Sequence, residues 1–311
     1  MKLAIKAQQA LKGKIRQTPI EFSKELSKII GASAYLKLEN LQITGSFKLR
    51  GALFYLSQLE DKTLGVACCS AGNHGLAVAY AAKKENVPCV VYVPKNVDQA
   101  KYEKMLELDA KVIVSEFSGY DETLIWAEKE AEKNGLAFIS AYDHPFIMAA
   151  NGGTLAMEIE MQLPEATNYI LPIGGGGMAA GFAIELKGKR IICCQHQDSA
   201  AFDLSLKKSH AITKMPPIET VAGGIEGGIG KNTFDILKEY VNEVCLLSEN
   251  EIYEGVRWML KHHQILIEPS SAVVISAAIF GKLPLLKETT VFVISGRNVS
   301  FETIKKIVSK D

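Results

Sequence analysis

Lys48 stands in the stretch Ile43-Thr44-Gly45-Ser46-Phe47-Lys48-Leu49-Arg50-Gly51-Ala52. A short strand-like run, 35–39, precedes it, and an apolar helical pattern at Leu49, Ala52, Leu53 and Leu56 follows. A hydroxyl at Thr44 or Ser46 is expected to cap that helix by accepting from its orphan amides. Lys48 then falls in the first turn, where a cation meets the positive end of the helix dipole. Such a place favours an amine held neutral, and a lysine of lowered pKa is what Schiff-base chemistry requires. Taken alone, the stretch is equally compatible with an ordinary surface lysine.

Three further stretches have residue types suited to chemistry. Cys69-Ser70-Ala71-Gly72-Asn73-His74-Gly75 lies between an apolar strand and a helix, and its small residues let backbone amides approach a carboxylate or phosphate. Pro172-Ile173-Gly174-Gly175-Gly176-Gly177-Met178-Ala179-Ala180-Gly181 repeats the strand, glycine turn, helix order. Consecutive glycines cost chain entropy, so some of them are expected to need positive φ or close ligand approach. A dinucleotide fits less well than a lone phosphate there, because the next strand closes on Gln195 and not on an acidic residue. Ser295-Gly296-Arg297-Asn298 ends the last apolar strand, where a hydroxyl can meet a ring atom or simply cap a helix.

The elements that must position these residues follow from the apolar pattern. Strands are predicted at 64–69, 89–93, 111–115, 137–141, 169–173, 190–195, 244–248 and 290–295. Their near-continuous apolar character suits a parallel sheet covered on both faces. Helices are predicted at 74–84, 98–108, 120–134, 153–161, 177–186, 249–262 and 271–280. The alternation predicts an α/β fold of open, mostly parallel, doubly wound sheets, whose ligands bind at the carboxyl ends of strands. A break is expected at Asp143-His144-Pro145, and 208–232 reads as a long aperiodic loop of the kind that is more often functional than slack.

With 311 residues, two domains are the first expectation. Lys plus Arg equals Asp plus Glu at 35 each, with no like-charge block, which points away from a nucleic-acid or membrane-surface partner. The N-terminus, Met1-Lys2-Leu3-Ala4-Ile5-Lys6-Ala7, reads as an amphipathic helix start without a signal-peptide core, and no run reaches membrane-spanning length. The adjacent pairs Cys68-Cys69 and Cys193-Cys194 point to opposite strand faces, unlike a disulfide or metal clip, and fit a reducing cytoplasm.

Together, Gly45-Ser46-Phe47-Lys48, Ser70-Ala71-Gly72-Asn73-His74, the tetraglycine and Ser295 resemble the fold type II (β-family) pyridoxal-phosphate enzymes, specifically the serine/threonine dehydratase and serine racemase branch. The resemblance runs from Thr18-Pro19 through Glu268-Pro269-Ser270 to Ser295. It implies a tryptophan synthase β-like architecture, with a large cofactor-binding domain (1–55 and 142–311) and a small closing domain (56–141). It implies pyridoxal 5'-phosphate as cofactor, with Lys48 forming the Schiff base, Phe47 beside the ring and Asn73 on the 3-hydroxyl. It further implies Gly174, Gly175, Gly176, Gly177 and Met178 on the phosphate, and Ser295 on the ring nitrogen. Ser70, Ala71, Gly72, Asn73 and His74 would surround the substrate carboxylate, with Lys48 and Ser70 as catalytic candidates. The activity implied is that of a lyase of amino-acid metabolism. It would eliminate water from L-threonine or L-serine to give a 2-oxo acid and ammonia, in a cytoplasmic homodimer.

Departures from the branch sharpen this. Ala71 stands where its racemases place a proton-donating serine, which favours elimination over racemisation. Gln195 and Ala201 stand where carboxylates would bind a divalent metal, so no metal is expected, and His196 with Asp198 reads as a solvated pair. Gly223 replaces an aspartate, and Arg297 replaces a glycine. Arg297 either points to solvent or meets a substrate side-chain carboxylate, which keeps hydroxyaspartate-like and ectoine-derived substrates open. A racemase, a β-replacement enzyme and a non-catalytic phosphate-cup sensor are the alternatives; retention of Lys48, Asn73 and Ser295 speaks against the sensor. No appended regulatory domain is expected after the catalytic part.

Overall fold

The computed structural model describes residues 2–241 and 243–309, so Met1 of the expected N-terminal helix lies outside the described residues. The strands are β1 (Ile20–Phe22), β2 (Ala34–Leu38), β3 (Val66–Cys69), β4 (Cys89–Val93), β5 (Lys111–Val114), β6 (Ala137–Phe138), β7 (Asn168–Pro172), β8 (Arg190–His196), β9 (Glu243–Leu247) and β10 (Thr290–Ile294). They form a six-stranded sheet, β1-β2-β10-β7-β8-β9, and a four-stranded sheet, β5-β4-β3-β6. Every pairing is parallel except β1 with β2. The expected α/β class with two open, mostly parallel sheets is therefore the observed one.

The reason for the near-continuous apolar strands is visible in the cores. Ile170, Ile192 and Phe292 enter one cluster while their chain neighbours Tyr169, Ile191 and Val291 enter another on the opposite face. In the smaller sheet Cys68 and Val91 lie on one face, Cys69 and Tyr92 on the other. Strand side chains alternate, so a sheet covered on both sides needs apolar residues at every position. Both cysteine pairs are split in this way, and the six cysteines are free buried thiols.

The helices are α1 (Leu3–Leu11), α2 (Lys24–Ile30), α3 (Lys48–Ser57), α4 (Asn73–Glu85), α5 (Gln99–Glu107), α6 (Tyr120–Lys133), α7 (Pro145–Met148), α8 (Thr154–Gln162), α9 (Gly177–Glu185), α10 (Ala201–Lys208), α11 (Lys231–Tyr240), α12 (Glu249–His263), α13 (Pro269–Ile279) and α14 (Phe301–Ser309). The break at Asp143-His144-Pro145 becomes the start of α7, with Pro145 in its first turn and His144 accepting from Phe146 N. A π turn, Ala149–Gly153, precedes α8 and delays the helix expected from residue 153. There Gly152 and Gly181 bring two backbones together, since a Cβ on Gly152 would lie 2.1 Å from Met178 O. α9 is thereby seated directly against the π turn.

The expected cap of α3 is not formed. Its N-cap residue is Phe47, without a side-chain cap bond, and Thr44 Oγ1 and Ser46 Oγ are buried without a partner. The backbone here is committed to β10 instead: Phe47 N donates to Ser295 O (3.1 Å) and Ser46 bridges Gly296. Ser46 is thus held against the strand end, and Phe47 takes the N-cap position. β6 likewise stops at Phe138, short of the expected 141, because Ser140 Oγ accepts from Asp143 N (3.1 Å) and turns the chain. β1, α2, α10, α11 and α14 were not foreseen from the pattern, being short or weakly apolar. The aperiodic segment is observed at 209–230, between α10 and α11, with Ile229 N bonded to Ile212 O (3.0 Å).

Candidate active site

Lys48 is the first residue of α3, and its Nζ donates to Ala141 O at 2.7 Å. The Phe47 ring centroid lies 5.3 Å from that nitrogen. Burial lowers the amine from the usual 10.5 to about 8, against the opposing charge of Glu268. The helix behind it is fixed by a buried ion network. Arg50 Nη2 donates to Glu39 (2.7 Å) and Glu158 (2.9 Å), and Lys37 Nζ donates to Glu158 (2.6 Å). Gly51 N donates to Asn151 Oδ1 (2.7 Å) in the π turn. Paired charges out of water tolerate little displacement, so the register of α3, and with it the root of Lys48, is tightly defined.

The Ser70-Ala71-Gly72 turn links β3 to α4, with Gly72 N donating to Ser70 Oγ (3.1 Å) and Asn73 opening the helix. Asn73 Nδ2 donates to both oxygens of Glu268 (2.7 and 3.0 Å), and its Oδ1 accepts from Asn298 Nδ2 (2.7 Å). Asn298 N also donates to Glu268 Oε2 (3.1 Å). Burial raises the Glu268 carboxyl, partly offset by the Asn73 bond, the backbone of Asn298 and the charges of Lys101 and Lys48. The His74 ring is committed elsewhere: it is buried, 2.9 Å from Ile139 O, and pushed down to about 3 by burial and then by Lys48. It is therefore neutral, and what His74 offers the turn is its backbone amide at the start of α4.

At the carboxyl end of β7 the chain runs through Gly174, Gly175, Gly176 and Gly177 into α9, with Met178 in the first turn. Gly176 has φ +88°, which an L side chain rarely adopts. A Cβ on Gly175 would lie 2.3 Å from the Tyr142 ring, and one on Gly174 3.0 Å from Ile225 Cα. The first amides of a helix lack intrahelical acceptors, so this start is a ready anion cradle. Ser295 is buried beyond the end of β10, its Oγ 2.7 Å from Ser271 Oγ.

Lys48, Asn73 and Ser295 are thus brought together by one set of contacts around Glu268, Asn298 and the β10 end. The tetraglycine joins them through Ala141, which accepts from Lys48, and Tyr142, which lies over Gly175. Glu268, Asn298, Ser271 and Tyr142 also belong to the site, and none of them is marked as a site residue by the sequence pattern. Asn298 and Glu268 lay within the motifs already singled out, and a glutamate before Pro269 at a helix start was the available signal.

Elsewhere, Gln195 Oε1 accepts from Phe202 N and Asp203 N (both 3.2 Å), while His196 Nε2 lies 3.2 Å from Glu249 Oε2 and not with Asp198 alone. Among the described residues no group of three or more His, Cys, Asp or Glu is placed to hold a metal ion. Arg297 is half-buried, its N donating to Gly45 O (2.9 Å).

Known proteins are similar to this chain over nearly its whole length. An L-threonine ammonia-lyase of Thermotoga maritima is 33% identical over 311 residues, covering 98% of this chain and 77% of the relative. The structure of maize serine racemase superposes with a TM-score of 0.91 at 25% identity, covering 98% of this chain and 95% of that one. A threonine deaminase isoform of Solanum lycopersicum superposes with a TM-score of 0.88 at 28% identity, covering 98% and 91%. The model of one family matches residues 11–296, a span that takes in the lysine, both glycine turns and the strand-end serine described above. This chain therefore belongs to the pyridoxal-phosphate dependent enzymes.

Proposed function

We propose that this chain is an ammonia-lyase that removes water from L-threonine, and from L-serine, to give the 2-oxo acid and ammonia. The observation that carries the reading is Lys48: an amine lowered to about 8 by burial, at a helix start, beside a glycine cradle. The similarity to the L-threonine ammonia-lyase supports the substrate class.

The residues present fit pyridoxal phosphate. The cradle at Gly174, Gly175, Gly176, Gly177 and Met178 presents backbone N–H groups where side chains are excluded, which suits a phosphate. Lys48 would hold the aldehyde carbon through its amine, Phe47 would flank the ring, and Asn73 and Ser295 would hold its polar atoms. Ser271 can donate to Ser295 when Ser295 itself donates to a ring nitrogen. When bound, the cofactor supplies an electron sink for the charge left at Cα.

Everything else falls to the chain. The turn Ser70, Ala71, Gly72, Asn73 and His74 would receive the substrate carboxylate on its amides, with Ser70 Oγ at hand as the second catalytic candidate. Lys48 Nζ would take the Cα proton of the bound substrate. The β-hydroxyl leaves with a proton as water, and the resulting enamine tautomerises and takes up water to release ammonia. Ala71 has no proton to return to the other face of Cα, so elimination is favoured over inversion.

The same reading takes residues 1–55 and 142–311 as the cofactor-binding unit and 56–141 as the unit that closes on substrate. It includes a homodimer, open to test by sedimentation equilibrium, and a cytoplasmic location, which the free thiols suit. The deciding experiment assays the cofactor-loaded protein for 2-oxo acid and ammonia with L-threonine, L-serine, D-serine and the 3-hydroxyaspartate isomers. Turnover of L-threonine and L-serine is expected. Turnover confined to the hydroxyaspartates would replace the proposed substrate with a dicarboxylic one and assign Arg297 to it.

A further inference from the structure

The peptide joining Gly175 to Gly176, like the other two Gly–Gly peptides of the turn, has glycine on both sides, which leaves it free to flip. In the structure it is held. Gly175 O accepts from Thr233 Oγ1 at 2.7 Å and from Gly230 N at 3.2 Å. No cis peptide occurs among the described residues, and a trans peptide points its N–H opposite to its C=O. With Gly175 O drawn toward α11, the N–H of Gly176 must face away from α11.

Thr233 is placed for this by a second segment. It is fully buried, with Gly230 O as the other acceptor of its single hydroxyl proton, at 3.0 Å. The Asp143 carboxylate accepts from Thr233 N (3.1 Å) and Asn232 N (3.4 Å), so it caps α11 from a distant part of the chain. Gly230 makes room for it, since a Cβ there would lie 2.6 Å from Asp143 Cγ. Asp143 is two residues beyond Ala141, whose carbonyl holds Lys48 Nζ. One short segment therefore touches the lysine, covers the cradle with Tyr142, and anchors the helix that orients the cradle.

We propose that Thr233 is a positioning residue whose hydroxyl locks the Gly175–Gly176 peptide with the Gly176 N–H presented to the cofactor phosphate, and that Asp143 holds Thr233 in place. This rests on the reading of the tetraglycine as a phosphate site and adds to it the device that fixes its geometry. Loss of the hydroxyl leaves Gly175 O with the longer bond alone, and the peptide regains its freedom.

The test titrates apoprotein with pyridoxal 5'-phosphate by fluorescence, with inorganic phosphate as competitor, for the unmodified chain, Thr233→Val and Thr233→Ser. Thr233→Val keeps the shape and is expected to weaken cofactor binding about tenfold, the value of about one buried hydrogen bond. Thr233→Ser should restore it, and the phosphorus resonance of the bound cofactor should move in Thr233→Val alone. The apoprotein melting temperature separates positioning from folding. Unchanged affinity in Thr233→Val overturns the proposal. So does a loss of affinity that tracks a lowered apoprotein melting temperature and is not repaired by serine. Failure of the dehydratase reading would show separately, as normal cofactor binding without ammonia release.

Discussion

Lys48 has two properties that can be separated by pH. Its amine is lowered from 10.5 to about 8, first by burial, with Glu268 opposing. Between those values the folded chain holds a neutral amine while the unfolded chain binds a proton, so this group's contribution to apoprotein stability rises with pH across the window. Below about 8 both states are protonated, and the buried charge counts fully against the fold. The neutral amine is also the nucleophile, so the rate of cofactor capture should rise with pH and level off above about 8. Stopped-flow absorbance reads this profile; a rate that keeps rising past pH 8 toward the ordinary lysine value of 10.5 would show that the amine is not lowered. Lys48→Ala should show no capture and no turnover. Ala71 decides a different question. A positioned acid or base contributes roughly 10²–10⁴-fold, and the methyl of Ala71 offers none. Chiral chromatography of L-serine reactions in deuterated water should find little D-serine with the unmodified chain and more with Ala71→Ser. Abundant deuterated D-serine from the unmodified chain would make racemisation the main activity.

Among elements, α3 shows why a helix cap is not legible from its own residues. The hydroxyls of Thr44 and Ser46 are sensible caps by local chemistry, yet the end of β10 competes for the same backbone and wins. The partner strand is about 250 residues downstream, and the Asn298–Thr44 contact alone spans 254 positions. Strands inside the sheets were legible because burial on both faces writes itself into every position. β1, α2, α10, α11 and α14 carry no such signal, since short or one-sided elements are stabilised by what they touch and not by propensity. The interior of α3 makes its own prediction. Arg50 serves two buried carboxylates, Glu39 and Glu158, and Arg50→Ala would leave Glu39 without its cation and Glu158 with Lys37 alone. Removing one partner of a buried pair costs about 3–5 kcal/mol. Denaturant unfolding of the apoprotein should show a loss of that order, and a loss within error of zero would mean that the network contributes nothing to holding the lysine helix.

For the whole molecule, the carboxyl ends of two sheets converge on one site, and the residues that tune it come from segments far apart in sequence. Gln195 and Ala201 bring no carboxylate, and Gln195 Oε1 is already engaged with Phe202 N and Asp203 N. Chelator treatment is therefore expected to leave ammonia release and the melting temperature of the loaded enzyme unchanged. A fall in either, restored by magnesium or calcium, would show a site built from other residues. The sequence by itself determined the alternating elements, the glycines at strand ends, the lysine at a helix start and the serine beyond the last strand. Those features depend on backbone freedom and on period, which act over a few residues. Tertiary structure alone decided how far burial lowers the Lys48 amine, to about 8, that Asn73 is held by Glu268 195 positions away, and that Thr233 aims the peptide of the cradle. Desolvation and side-chain pairing depend on which distant residues arrive at the same place, and no local pattern records that.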